Sequence, residues 1–133
     1  MRKLIRVLLV AFILLLFMSI VLPRGGSHHL PRVRTGKADI AQFATALSMF
    51  YVDCGRYPTT VEGLGALLKR PVAIPEHLWR GPYVDARTLP KDPWGRPYVY
   101  EWPGKHNTNG FDIYSLGRDG KGGDEAIGNW IAP

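Results

Sequence analysis

Residues 115–130 read SLGRDGKGGDEAIGNW and gather the groups in this chain best suited to chemistry. Three carboxylates, Asp119, Asp124 and Glu125, stand among five glycines at 117, 120, 122, 123 and 128. Glycine reaches backbone angles closed to other residues, so carbonyls can be turned inward over a short span. Carboxylate and carbonyl oxygens together are what a hard divalent cation takes, roughly six to eight of them in the case of calcium. The D-x-[DN]-x-[DN]-G-x5-E spacing of an EF-hand is absent. The residues alone leave a solvated polar turn equally open.

No other constellation competes. The four histidines, His28, His29, His77 and His106, lie at no spacing that suggests a catalytic or zinc pair, and adjacent histidines in a basic stretch are more often solvated than metal-bound. There is neither a Gly-x-Ser-x-Gly elbow nor a phosphate-binding loop. GLGALL (63–68) lacks the third glycine and the preceding strand of a dinucleotide fingerprint. Cys54, the single cysteine, is read as a small buried hydrophobe rather than a nucleophile. The aromatic stretches DPWG and YVYEW are read as packing surface rather than a ligand platform. An enzyme is not expected, nor a small-molecule substrate.

The elements that must position the loop follow from composition and pattern. The formal charge is +6, but seven of the 17 Lys and Arg fall in residues 1–37, where there is no Asp or Glu. Residues 38–133 carry ten basic and 11 acidic side chains, so the body lacks the clustered positive charge that nucleic-acid binding needs. Val7–Leu22 is a run of 16 uncharged residues behind Arg2, Lys3 and Arg6. It lies between a signal-peptide core and a spanning helix in length, and Leu4 and Ile5 extend it if Arg6 snorkels. With no Ala-x-Ala cleavage pattern, residues 1–23 are expected to be an uncleaved transmembrane signal anchor, the alternative being a cleaved signal peptide. A very short N-terminal tail makes N-in and domain-out the simpler topology, although Arg24, Arg32, Arg34 and Lys37 follow the span. Residues 24–36 are expected to be a linker, with Pro31 against a continuous helix.

Next comes an amphipathic helix whose stripe is Ile40, Phe43, Leu47, Phe50, Tyr51 and Cys54, capped by Thr35 or Asp39 and ended by Gly55. A short second helix should open at a Thr59–Glu62 capping box, with Val61, Leu64, Leu67 and Leu68 on its apolar face, and end at Pro71. Beyond it the chain reads as turns and strands: a weak extended pair at Tyr83-Val84, turn chemistry in LPKDPWGRP (89–97), a strand over 98–102, a hairpin connection over 103–110 and a returning strand over 111–114. The class is α+β, with the helix stripe covered by a small antiparallel sheet.

Three ordered blocks, ALSMFYVDCGRYPTTVEGLGALL, LPKDPWGRPYVY and FDIYSLGRDGKGGDEAIGNW, resemble the soluble domain of the major pseudopilins of bacterial type II secretion systems. The resemblance covers roughly residues 37–131, so 37–133 is taken as a pseudopilin-like domain. It implies one long N-terminal helix packed on a small antiparallel sheet and assembly into a periplasmic pseudopilus at the inner membrane. Partners would be other secretion-system subunits, further copies of the chain and the membrane, with no nucleic acid. The implied location is the bacterial inner membrane, single-pass, with the domain facing the periplasm. It also implies a calcium ion in the glycine-rich loop, held by carbonyls near Leu116 and at Lys121, the carboxylate of Asp119, and the acids Asp124 and Glu125 ahead of Ile127.

Two departures stand out. The family commonly has Asp directly before the Ile of its IGNW-like end, where this chain has Ala126; either Glu125 reaches the ion with its longer arm or the site is weakened. A pseudopilin also normally has a Gly cut by prepilin peptidase and then an apolar helix with Glu fifth in the mature chain. Here no Gly precedes the apolar run and no acid precedes Asp39, so neither processing nor standard filament packing is implied. The competing reading is a membrane-tethered, non-polymerising calcium-binding domain of pseudopilin fold.

Overall fold

The structure, a computed structural model, describes residues 29–131. Helix α1 runs over His29–Cys54. Its buried side is formed by Gly36, Ile40, Phe43, Leu47 and Phe50, the three-and-four spacing of a single helical face. Tyr51, expected on this stripe, is instead 47% exposed, with its ring 4.7 Å from that of Tyr57. The helix ends as expected: Gly55 sits at φ +73° and its N–H bonds the Tyr51 carbonyl at 2.8 Å, a left-handed C-terminal cap.

The start of α1 corrects the expected boundaries. Residues 29–36 are helical rather than linker, Pro31 included. Its carbonyl accepts the Thr35 hydroxyl at 3.1 Å, so Thr35 is an interior residue and not a cap. Residues 24–28 and the expected anchor over 1–23 lie outside the described residues. Among those described, no helix is long and apolar enough to cross a membrane.

The Thr59–Glu62 capping box forms in both directions: Thr59 N–H donates to Glu62 Oε2 at 2.8 Å, and Glu62 N–H donates to Thr59 Oγ1 at 3.2 Å. Arg56 reinforces it by donating to both Glu62 oxygens at 2.7 Å. Yet it opens one turn only. Gly63 takes φ +59°, which breaks helical propagation, and the chain continues as a 3-10 helix over Leu64–Leu67. Leu64, Ala66 and Leu67 are buried, whereas Val61 is exposed. The Tyr83-Val84 pair is not a strand among the described elements; Tyr83 serves as packing, edge-on to Phe50 and Trp79 at 5.5 and 5.8 Å.

Three strands form one antiparallel sheet in the order β1 (Val99–Glu101), β2 (Asp112–Ser115), β3 (Ile127–Gly128). Tyr100 pairs with Ile113, and Ser115 with Ile127. Because side chains alternate, Tyr100, Phe111, Ile113 and Ser115 share the face that buries against α1, joined by Tyr98, whose ring meets Phe43 edge-on at 5.4 Å. The other face carries Glu101, Asp112 and Tyr114. Strand β3, unanticipated because it is two residues long and half glycine, is what places the glycine-rich loop: it returns the chain beside the residue from which the loop departs.

Candidate functional site

The loop over 116–126 is closed at its base by the Ser115–Ile127 pairing. Within it the Gly122 N–H bonds the Leu116 carbonyl at 3.0 Å, and the Ala126 N–H closes the 3-10 turn over Gly123–Glu125 on the Gly123 carbonyl at 3.0 Å. Gly117, Gly120, Gly122 and Gly123 all take positive φ, from 66° to 81°. At Gly117 the two arms touch: a Cβ there would lie 2.1 Å from the Glu125 carbonyl oxygen.

Of the sequence-derived candidates, the structure brings Asp119 and Glu125 together. Glu125 Oε2 accepts the Asp119 N–H at 3.3 Å, and Asp119 Oδ1 accepts the Lys121 N–H at 2.9 Å. The carbonyl of Leu116 lies at the neck. Asp124, in the 3-10 turn over Gly123–Glu125, lines a half-open groove of about 690 Å³ with two other candidates, Leu116 and Lys121, and with Tyr114, His106 and Trp130. Ala126 is extended and only carries the chain into β3. Among the described residues, no group of three or more His, Cys, Asp or Glu could by itself hold a metal ion. Any cation in this loop would therefore need backbone carbonyls as well as the Asp119–Glu125 pair. That mixed donor set is a calcium-type one.

A second set of residues, read in sequence only as a turn, holds the loop in place. Asp92 is buried, and its Oδ1 accepts the N–H groups of Trp94 at 3.0 Å and Arg96 at 2.7 Å. Its Oδ2 accepts the buried Ser115 hydroxyl at 2.5 Å, and Ser115 Oγ accepts the Gly117 N–H at 3.1 Å. From the other end of the same turn, Arg96 Nη2 donates to the carbonyls of Gly117 and, at 3.4 Å, Arg118. DPWGR thus grips the first turn of the loop by an amide and by two carbonyls. Asp-Pro in a glycine turn signals a side chain folding back on its own backbone, but nothing local could reveal the partner 23 residues away.

The outer face of the sheet holds another buried carboxylate. The β1–β2 connection wraps Asp112, whose oxygens accept the N–H groups of His106 at 2.7 Å and Asn107 at 2.9 Å and the Asn107 amide at 2.9 Å. Burial alone would push its pKa up, but these donors outweigh burial and hold it below the usual range. His106 Nδ1 lies 3.1 Å from the same carboxylate, and its ring stacks on Trp130 at 3.8 Å with planes 5° apart. Trp130 therefore caps the groove beside the loop. At the far side of the body, Cys54 lies 3.9 Å from the Leu78 carbonyl and 4.0 Å from the Tyr83 hydroxyl. Partial burial pushes its thiol pKa up, the opposite of what a thiolate nucleophile needs.

The geometry therefore consists of a long helix, a small sheet and one braced loop. The family model for protein G of the type II secretion system matches residues 26–131. Type II secretion system core protein G of Pseudomonas aeruginosa is 41% identical over 132 residues, covering 96% of this chain and 92% of that protein. The Vibrio cholerae protein of the same name is 38% identical over 133 residues, with 96% and 88% covered. The crystal structure of the major pseudopilin from the type 2 secretion system of enterohaemorrhagic Escherichia coli superposes with a TM-score of 0.69 at 35% identity, covering 83% of this chain and 92% of that one. Alignments over 96% of the chain reach into the apolar N-terminal segment as well as the folded body. By family model, relatives and fold alike, the chain belongs to the type II secretion system protein G family, the major pseudopilins.

Proposed function

We propose that this pseudopilin works by protein–protein assembly in a type II secretion system and that calcium stabilises its C-terminal loop. The observation that carries the calcium reading is the meeting of Asp119 and Glu125 at one end of a closed loop whose glycines turn carbonyls off the usual course. Asp119, Glu125 and the carbonyls of Leu116 and Lys121 would hold the ion, with Asp124 nearer the groove. Calcium would supply a charge that neutralises the Asp119 and Glu125 carboxylates and ties both arms of the loop together. With Ala126 in place of the acid, Glu125 would supply the carboxylate, its side chain already accepting the Asp119 N–H. Millimolar calcium should raise the melting temperature of the full chain over a chelated sample, and Asp119→Ala should abolish the rise. Identical melts with and without the ion would sink the calcium reading.

Assembly is supported by what α1 leaves outside: Leu30, Met49 and Val52 are exposed, on a helix whose opposite side is occupied by the body. Contact with other subunits and with copies of itself would cover such residues. The N-terminal segment serves in this reading as a single-pass inner-membrane anchor with the domain in the periplasm. Membrane-fraction protein should then show the full-chain mass, and crosslinking in membranes should give ladders. A mass lacking about the first two dozen residues, the length of a signal peptide, would replace the anchor with a cleaved signal. A strictly monomeric anchored protein would favour the tethered, non-polymerising alternative.

A further inference from the structure

We infer that Arg96 is the residue that positions the loop for its cation, a role that rests on the calcium reading above. Its guanidinium reaches from the DPWGR turn to the loop, where Nη2 donates to the carbonyls of Gly117 and Arg118. The loop backbone is fitted to it: a Cβ on Gly120 would lie 3.0 Å from Arg96 Nη1 and 3.1 Å from its Cζ. Arg96 Nε is buried without a hydrogen bond among the described residues, 3.9 Å from Asp92 Oδ2, so the guanidinium is held by charge on one side and spends its donors on the loop. With 33% of its surface exposed, the rigid planar fork sets one nitrogen, Nη2, against both acceptors.

The consequence concerns how the first turn of the loop is held. Between Leu116 and Lys121, Arg96 takes the oxygens of Gly117 and Arg118 toward the body. The Asp92–Ser115 pair takes the Gly117 N–H from the same side. In the calcium reading the donors are the Leu116 and Lys121 carbonyls, the former also accepting the Gly122 N–H, with the Asp119 and Glu125 carboxylates. Arg96 thus pins the two residues that join Leu116 to Asp119, and so fixes the spacing of those two donors without being a ligand itself. Residues that orient ligands in this way typically alter metal affinity by about 10–100-fold when replaced.

A net repulsion between Arg96 and the ion would have the opposite sign, and this separates the two possibilities. Calcium binding should be measured by isothermal titration on the full chain in detergent for the wild type, Arg96→Lys and Arg96→Gln, with melting of the chelated proteins as control. Lys keeps the charge and loses the fork; Gln loses the charge. Both should weaken calcium binding by about tenfold or more while the chelated melting temperature changes little. The Gly117 and Gly122 amides should also exchange faster with solvent in both variants before calcium is added. Unchanged affinity in both variants overturns the positioning role and leaves the calcium reading standing. Tighter binding in Arg96→Gln overturns it too, since Arg96 would then act as a competing charge. A wild-type chain that takes up no calcium overturns both.

Discussion

Removing the Asp92 carboxylate is the sharpest test of how the loop is held. Asp92→Ala strips the acceptor from three donors at once, the N–H groups of Trp94 and Arg96 and the hydroxyl of Ser115. A buried donor left unsatisfied costs about 1–3 kcal/mol, and Ser115 is fully buried. Arg96 Nε also loses the carboxylate 3.9 Å away. Allowing water to reach part of the turn, the sum is about 4 kcal/mol, against a total stability of about 5–15 kcal/mol for a domain. Asp92→Asn is the informative partner: its remaining carbonyl can keep both backbone amides, leaving chiefly the Ser115 bond and the charge to be lost, about 1–2 kcal/mol. Urea unfolding of the full chain in the presence of chelator, with equal m-values, reads these differences directly. A double-mutant cycle with Ser115→Ala should show a coupling of about 1 kcal/mol or more, since the two side chains share one bond. If both Asp92 variants unfold within about 0.5 kcal/mol of the wild type, the range of an ordinary surface substitution, the turn does not brace the loop.

Other outcomes follow from the same physics. Glu62 is held below its ordinary value of 4.5 by the Arg56 hydrogen bond against burial, and Asp112 below 3.8 by its amide donors despite burial. Both therefore add stability that is complete above those ordinary values and lost as the pH falls through the depressed ones. Glu62→Gln and Asp112→Asn should each flatten the acid limb of a stability–pH curve, and a limb unchanged in both variants would contradict the assignment. Gly117→Ala meets both a φ of +79° and the Glu125 carbonyl 2.1 Å away, whereas Gly123→Ala meets only a φ of +66° with open space around it. Thermal melts should accordingly show Gly123→Ala costing about 1 kcal/mol and Gly117→Ala clearly more; equal costs would mean that the arms of the loop do not touch.

What the sequence by itself determined is what depends on neighbours a few residues away. The α1 stripe from Ile40 to Phe50, the Gly55 cap, the Thr59–Glu62 box and the two strands around the 103–110 connection each follow from local spacing, and so does a loop rich in glycine and carboxylate. Three ordered blocks were also enough to reveal the family. The tertiary structure decided the rest because it depends on residues distant in the chain. The capping box was legible, but Gly63 turning left-handed limited it to a single turn before the 3-10 helix. Pro31 reads as a helix breaker in sequence, yet it lies within the helix over His29–Cys54. Strand β3 exists only because Ile127 finds Ser115 across the sheet, and that pairing, not composition, closes the loop. Asp124 and Glu125 are neighbours in sequence with different surroundings, Asp124 lining the groove and Glu125 accepting the Asp119 N–H. Asp92 and Arg96 read as parts of a turn until packing carries that turn under the loop, where a carboxylate and a guanidinium shielded from water become the groups that hold it.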